Sequence, residues 1–243
     1  LLTWITVART FANILKIPLI EINHIQAHIF SNFLEREKED IKFPLVCLTV
    51  SWGHNDIYFM ENMWSMEKIG TSWDDAAGES YDKVAKMMWL EYPGWPIISK
   101  LALEYENELN SKNDLFPRVW LKKDEFDFSF SGLKSAVKRE IDARIKNNLD
   151  NILTLSDKKQ ISYEFQNAVN EVLSQKLINA WISKNVKTIM LAGWVSANTD
   201  LNEKIQVLAL KNNLEFIAPV KKLYSMDNAA MVGILTYYKI IEK

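Results

Sequence analysis

Cysteine is nearly absent from this sequence. Cys47 is the only one in 243 residues, which excludes a disulfide-stapled scaffold. Glycine is scarce too, with 7 residues where the usual share of about 7% would give roughly 17. Long apolar runs are missing: none approaches the roughly 18 residues of a membrane span, and no basic–apolar–small leader opens the chain. A cytoplasmic location is therefore the default expectation. The formal net charge of -2 does not advertise a nucleic-acid binder. What the chain does have is 48% hydrophobic and 25% charged residues, the balance of a globular protein, which excludes disorder and collagen. It also has 9 tryptophans, more than its glycines.

Periodicity predicts helices over about 3–15, from His24, over 74–89, after Pro96, over 131–146, 157–184 and 197–211, and from Asp227. Asp74 and Asp75 are placed to cap the third of these. Strands are expected at 18–22, 45–50, 57–60, 188–192 and 215–218, so the fold class is α/β, a mixed sheet with helices packed on it. The near-continuous apolar run Leu45-Val46-Cys47-Leu48-Thr49-Val50 reads as a strand covered on both faces. The chain opens without Met, inside a helical pattern whose apolar face is already in use. That predicts an upstream portion.

Candidate chemistry sits in four places. His24 and His28 lie at i and i+4, so both imidazoles can reach one metal ion while a third ligand comes from elsewhere. Surface or capping histidines show the same spacing. Asp227, opening the last helix, could be that third ligand or an N-cap. Two strand-to-turn segments, Thr49-Val50-Ser51-Trp52-Gly53-His54 and Leu191 to Asn198, could cradle an anion with backbone N–H groups or be plain turns. Asp82 could bond a ribose hydroxyl or pair with Lys86. Residues 118–146 carry eight basic and five acidic side chains, a local +3 that reads as a solvated helix face or a phosphate-binding stripe.

The motifs in order, HIQAH, TVSWGH, DDAAGESYDKVAK, YPGWP, FPR, DFSFSGLKSAV, AGWVSAN and MDNAAM, resemble the bacterial tRNA threonylcarbamoyladenosine transferase (TsaD) family over nearly the whole chain. The resemblance implies a two-lobed actin-like ATPase (ASKHA) fold with the first lobe incomplete here. Residues 1–43 would be a remnant of that lobe carrying the metal-ligand helix. Residues 44–225 would be the second lobe, and 226–243 a helix returning to the first. Residue by residue, His24, His28 and Asp227 match the metal ligands. Thr49, Val50, Ser51, Trp52, Gly53, Asp82, Trp95 and Asn198 match substrate positions, while Ser99 stands where many members carry an acid and is left out.

The implied reaction transfers threonylcarbamoyl from threonylcarbamoyl-AMP to N6 of adenosine 37 in tRNAs that read codons starting with A. One divalent metal ion, iron or zinc, is implied as cofactor. The implied partners are tRNA, a same-fold paralogue and a small ATPase, with no membrane. No general base can be named. Arg118, Lys122, Lys123, Lys134, Lys138 and Arg139 are the candidate phosphate contacts. The alternative is a non-catalytic paralogue kept as a dimerisation scaffold. Six tryptophans, Trp4, Trp52, Trp64, Trp89, Trp95 and Trp194, fall where the family pattern has glycine. Two readings stand open: UGA codons that the source organism reads as glycine, or a decayed paralogue.

Overall fold

The computed structural model describes residues 2–106, 114–119 and 126–241. Five strands, β1 (Leu45–Val50), β2 (Asn55–Met60), β3 (Glu67–Gly70), β4 (Thr188–Ala192) and β5 (Glu215–Ile217), form one mixed sheet in the order β3-β2-β1-β4-β5. The first three make an antiparallel meander, and β4 and β5 add parallel to β1. All six residues of β1 are buried because the sheet is covered on both faces. Strand alternation sorts them: Val46, Leu48 and Val50 enter one core, Leu45 and Cys47 the other.

The larger core is closed by α3 (Ala77–Met87), α4 (Gly94–Glu106), α5 (Ser131–Asn147), α6 (Leu155–Lys184) and α7 (Thr199–Lys211). The smaller one lies beneath α2 (His24–Phe30) and α8 (Ala229–Ile241), which pack on each other. α6 is held at its start by the Thr154–Asp157 capping box and ends on Asn185 in the left-handed region. α1 (Leu2–Leu15) buries only Ala12. No helix among the described residues is long and apolar enough to cross a membrane.

Three expectations need correction, and one strand was not foreseen. Residues 18–22 are not a strand, since a strand exists only where a neighbour supplies its hydrogen bonds and none lies alongside. β3 went unseen because its four residues bury only Gly70 and show no alternation. Asp74 and Asp75 do not cap α3, whose N-cap is Ala76 with no side-chain bond. Asp227 is not the cap of α8 either: the Asn228 side-chain Oδ1 accepts the Met231 N–H at 2.9 Å, leaving Asp227 outside the helix.

Candidate active site

β1 and β4 run parallel and in register, Thr49 beside Ala192, so the turns that follow them open at the same edge of the sheet. That edge, past the carboxyl ends of parallel strands, is where open α/β sheets bind ligands. The two turns touch. Gly193 has φ +84°, and a Cβ there would stand 2.6 Å from the Val50 carbonyl oxygen, so only glycine serves. The start of α3 closes on the first turn in the same way. The Glu79 N–H donates to the Trp52 carbonyl at 3.0 Å, and a Cβ on Gly78 would meet Trp52 Cα at 2.7 Å.

Beside this edge α2 and the segment before α8 bring His24, His28 and Asp227 together, with one donor atom from each lying within 4.8 Å of the others. The Asn23 side chain caps α2 by accepting the Gln26 N–H, which fixes the turn carrying the first histidine. Asp227 Oδ1 lies 3.4 Å from His24 Nε2 and 3.0 Å from His28 Nε2. His28 is 3% exposed. Burial, reinforced by neighbouring His24 and opposed in part by Asp227, holds its pKa below the usual histidine value. The neutral imidazole that results is the form that ligates metal.

The donor set fits a divalent ion. Two ligand atoms each about 2.0–2.1 Å from a common tetrahedral or octahedral centre stand about 3.0–3.4 Å apart, which is the spacing found between Asp227 and each histidine. Open space lies alongside, a cavity of about 420 Å³ lined by His24, His28, Asp227, Ser51, Trp52, Gly53, Tyr92, Trp194 and Met226.

The other expected site residues are placed differently. Asp82 lines a second cavity of about 290 Å³, and Trp52 and Tyr92 border both cavities. Its Oδ1 accepts the Gly94 N–H and its Oδ2 the Trp52 indole N–H, each at 2.7 Å; Lys86 is not its partner. Thr49 and Val50 are buried strand residues, and the Thr49 hydroxyl donates to the Asp56 carbonyl. Asn198 is 2% exposed and caps α7: its Oδ1 accepts the Leu201 N–H at 3.1 Å and its amide donates to Gln166. Trp95 packs edge-on against Trp194, ring centroids 5.4 Å apart, and lines neither cavity. Tyr92 and Met226 reach the cavity with no signal in the sequence beyond their nearness to YPGWP and to Asp227.

The basic segment is largely neutralised in place. Arg118 pairs with Glu171, Lys134 with Asp75, Lys138 with Asp142, and Arg144 with Glu140 and Asp157. Lys122 and Lys123 lie outside the described residues, and Arg139 is exposed.

Comparison with known proteins bears on this geometry. The family described as tRNA N6-adenosine threonylcarbamoyltransferase (TsaD) matches residues 1–234. A protein of that name from Staphylococcus haemolyticus (strain JCSC1435) is 42% identical over 238 residues, and one from Staphylococcus aureus (strain JH9) 40% identical. In each case the match covers 98% of this chain and 66% of the relative's length. Among solved structures, full-length HypF in a phosphate- and nucleotide-bound form superposes with a TM-score of 0.67 at 14% identity, covering 96% of this chain and 38% of that one. HypF from T. kodakarensis superposes at 0.59 and 14%, covering 96% and 39%. At such identities the likeness speaks for the fold alone, a mixed α/β architecture.

Proposed function

We infer, from the premise that this chain belongs to the TsaD family of tRNA N6-adenosine threonylcarbamoyltransferases, that it serves t6A synthesis. In the reaction the adenosine-37 N6 attacks the carbamoyl carbon of threonylcarbamoyl-AMP, AMP departs and N6 loses a proton. One observation carries the reading: His24, His28 and Asp227 converge in the lining of a cavity that the turn after β1 also lines. A scaffold has no use for three convergent donors.

In this reading His24 Nε2, His28 Nε2 and the Asp227 carboxylate hold one divalent ion, iron or zinc. Such an ion supplies a Lewis acid for the carbamoyl or phosphate oxygens. The protein's own part is positioning. Ser51, Trp52 and Gly53 line the cavity where the adenylate lies, and the N-terminal end of α3 abuts them through the Glu79 N–H on the Trp52 carbonyl. Cys47 is no nucleophile, because burial pushes its thiol pKa far up. The tRNA approaches from outside this edge, with Arg139 of α5 as one phosphate contact. A same-fold paralogue and a small ATPase complete the working assembly in the cytoplasm.

The test is nucleoside mass spectrometry. The natural protein, supplied with its partners, threonylcarbamoyl-AMP and unmodified tRNA, is expected to form t6A. His28→Ala is expected to lose both that product and the bound metal. Undiminished t6A from His28→Ala overturns the reading.

A further inference from the structure

Four of the tryptophans are badly housed, in three different ways. Trp89 is the clearest. α3 ends on Met88, and the Leu90 N–H then donates to the Ala85 carbonyl at 2.9 Å while the Trp89 N–H donates to Lys86 at 3.1 Å. That is a Schellman ending, and Trp89 sits at its left-handed position with φ +52°. α7 closes with the same bonds, Leu214 to Ala209 and Asn213 to Leu210, and there the left-handed residue is Asn213, φ +54°. Asparagine tolerates that region; a bulky side chain meets its own backbone, and glycine is the usual occupant. The Trp89 indole gains nothing in return, being 64% exposed.

Trp95 has the opposite fault: its indole N–H is buried with no partner, an uncompensated desolvation. Trp52 and Trp194 stand where open space is needed. Trp52 borders both cavities, so its indole and Tyr92 divide the His24–His28–Asp227 pocket from the one holding Asp82. The same indole N–H occupies the Asp82 oxygen that Gly94 leaves free. Trp194 follows the one glycine of its turn and fills the cavity from the far side. Trp181 is the contrast. It packs against the core, and its N–H donates to the Val186 carbonyl at 3.0 Å.

We propose that residues 52, 89, 95 and 194 are glycine in the protein as its own cell makes it. The codon at all four would be UGA, read there as glycine and rendered as tryptophan by another table. UGA is one base away from the glycine codon GGA, and a single reassigned codon accounts for four misfits of three kinds at once. In that protein the two cavities merge, and the three metal donors and Asp82 face one continuous cleft. A genuinely decayed paralogue carries UGG instead.

The inference rests on geometry, so its test is separate from any test of the transferase reading. The gene is sequenced, and peptides of the protein isolated from its own cells are weighed. UGA at the four positions with glycine in the peptides, and UGG with tryptophan at Trp181, is the expected result. UGG at any of the four, or tryptophan in those peptides, overturns it. A second measurement needs no native cells: Trp89→Gly is expected to raise the thermal midpoint by about 2–4 °C, and a fall overturns the assignment at that helix end.

Discussion

Two carboxylate clusters in this molecule use the same residue types to opposite ends. Asp74 and Asp75 precede α3, and every oxygen they present is taken. Asp74 accepts from the Ser129 and Ser131 hydroxyls at 2.5 and 2.7 Å and from the Phe130 N–H at 2.8 Å. Asp75 binds Lys83 at 2.6 Å and also Lys134. The pair therefore clamps α3 to the start of α5. Asp227 has the reverse surroundings: 77% of its side chain is exposed, and its neighbours across 3.0 and 3.4 Å are two imidazole nitrogens, one of them held neutral. A saturated carboxylate fastens structure. A carboxylate aimed at imidazole nitrogens is arranged for a cation.

The largest effect that tests this contrast is all-or-none. Asp227→Ala is expected to lose the single equivalent of bound metal, measured by elemental analysis of protein purified without oxygen. The metal-free forms should then unfold within about 0.5 kcal/mol of each other, because the side chain is exposed. Asp74→Ala should invert that pattern. It keeps the metal and loses about 1–2 kcal/mol of stability, three hydrogen bonds discounted for their exposure, seen as a midpoint lower by roughly 3–6 °C. Metal loss without unfolding in Asp74→Ala would erase the distinction. A smaller effect divides α5 itself, where Lys134 belongs to the clamp and Arg139 faces solvent. Arg139→Glu should leave the thermal midpoint unchanged and lower the salt slope of tRNA binding by about one.

How far the sequence foretells all this depends on how local each feature is. β1, α5 and α6 are legible because their burial follows from their own residues. The i, i+4 spacing of His24 and His28 likewise shows that they share a face. Asp227 lies some two hundred residues from them, so only the family resemblance pairs it with the histidines, and only the fold brings it within 3.0 Å. Aspartates just before a helix look like caps in any sequence. That Asp74 reaches across to Ser129 and Ser131 is a tertiary fact with no periodic trace. Asn198 adds a structural role that the motif does not announce: the family resemblance implies a substrate contact, and the fold sets its side chain on the first turn of α7 and on Gln166. Tyr92 borders the cavity because of how α3 and α4 meet, which no pattern of apolar residues encodes.

The subtlest difference between the clusters is in acid. Burial alone would raise the pKa values of Asp74 and Asp75, yet hydrogen bonds from Ser129, Ser131 and Phe130 on one, and from Lys134 and Lys83 on the other, outweigh it and hold both below the usual range. A carboxylate depressed in the folded state binds its proton more weakly than in the unfolded chain, whose value is about 3.9. Its contribution is therefore complete above that value and is lost as pH falls from there through the lower folded value. Stability measured by denaturant midpoint should decline across that acid window in the unaltered protein. In Asp74→Asn the amide cannot titrate, so the decline should be shallower, while the neutral-pH midpoint drops because the Ser129 and Ser131 hydroxyls and the Phe130 N–H lose their charged acceptor. An equally steep acid decline in Asp74→Asn would mean that the clamp is not what titrates. The closing contact between α3 and α5 would then rest on the larger core alone.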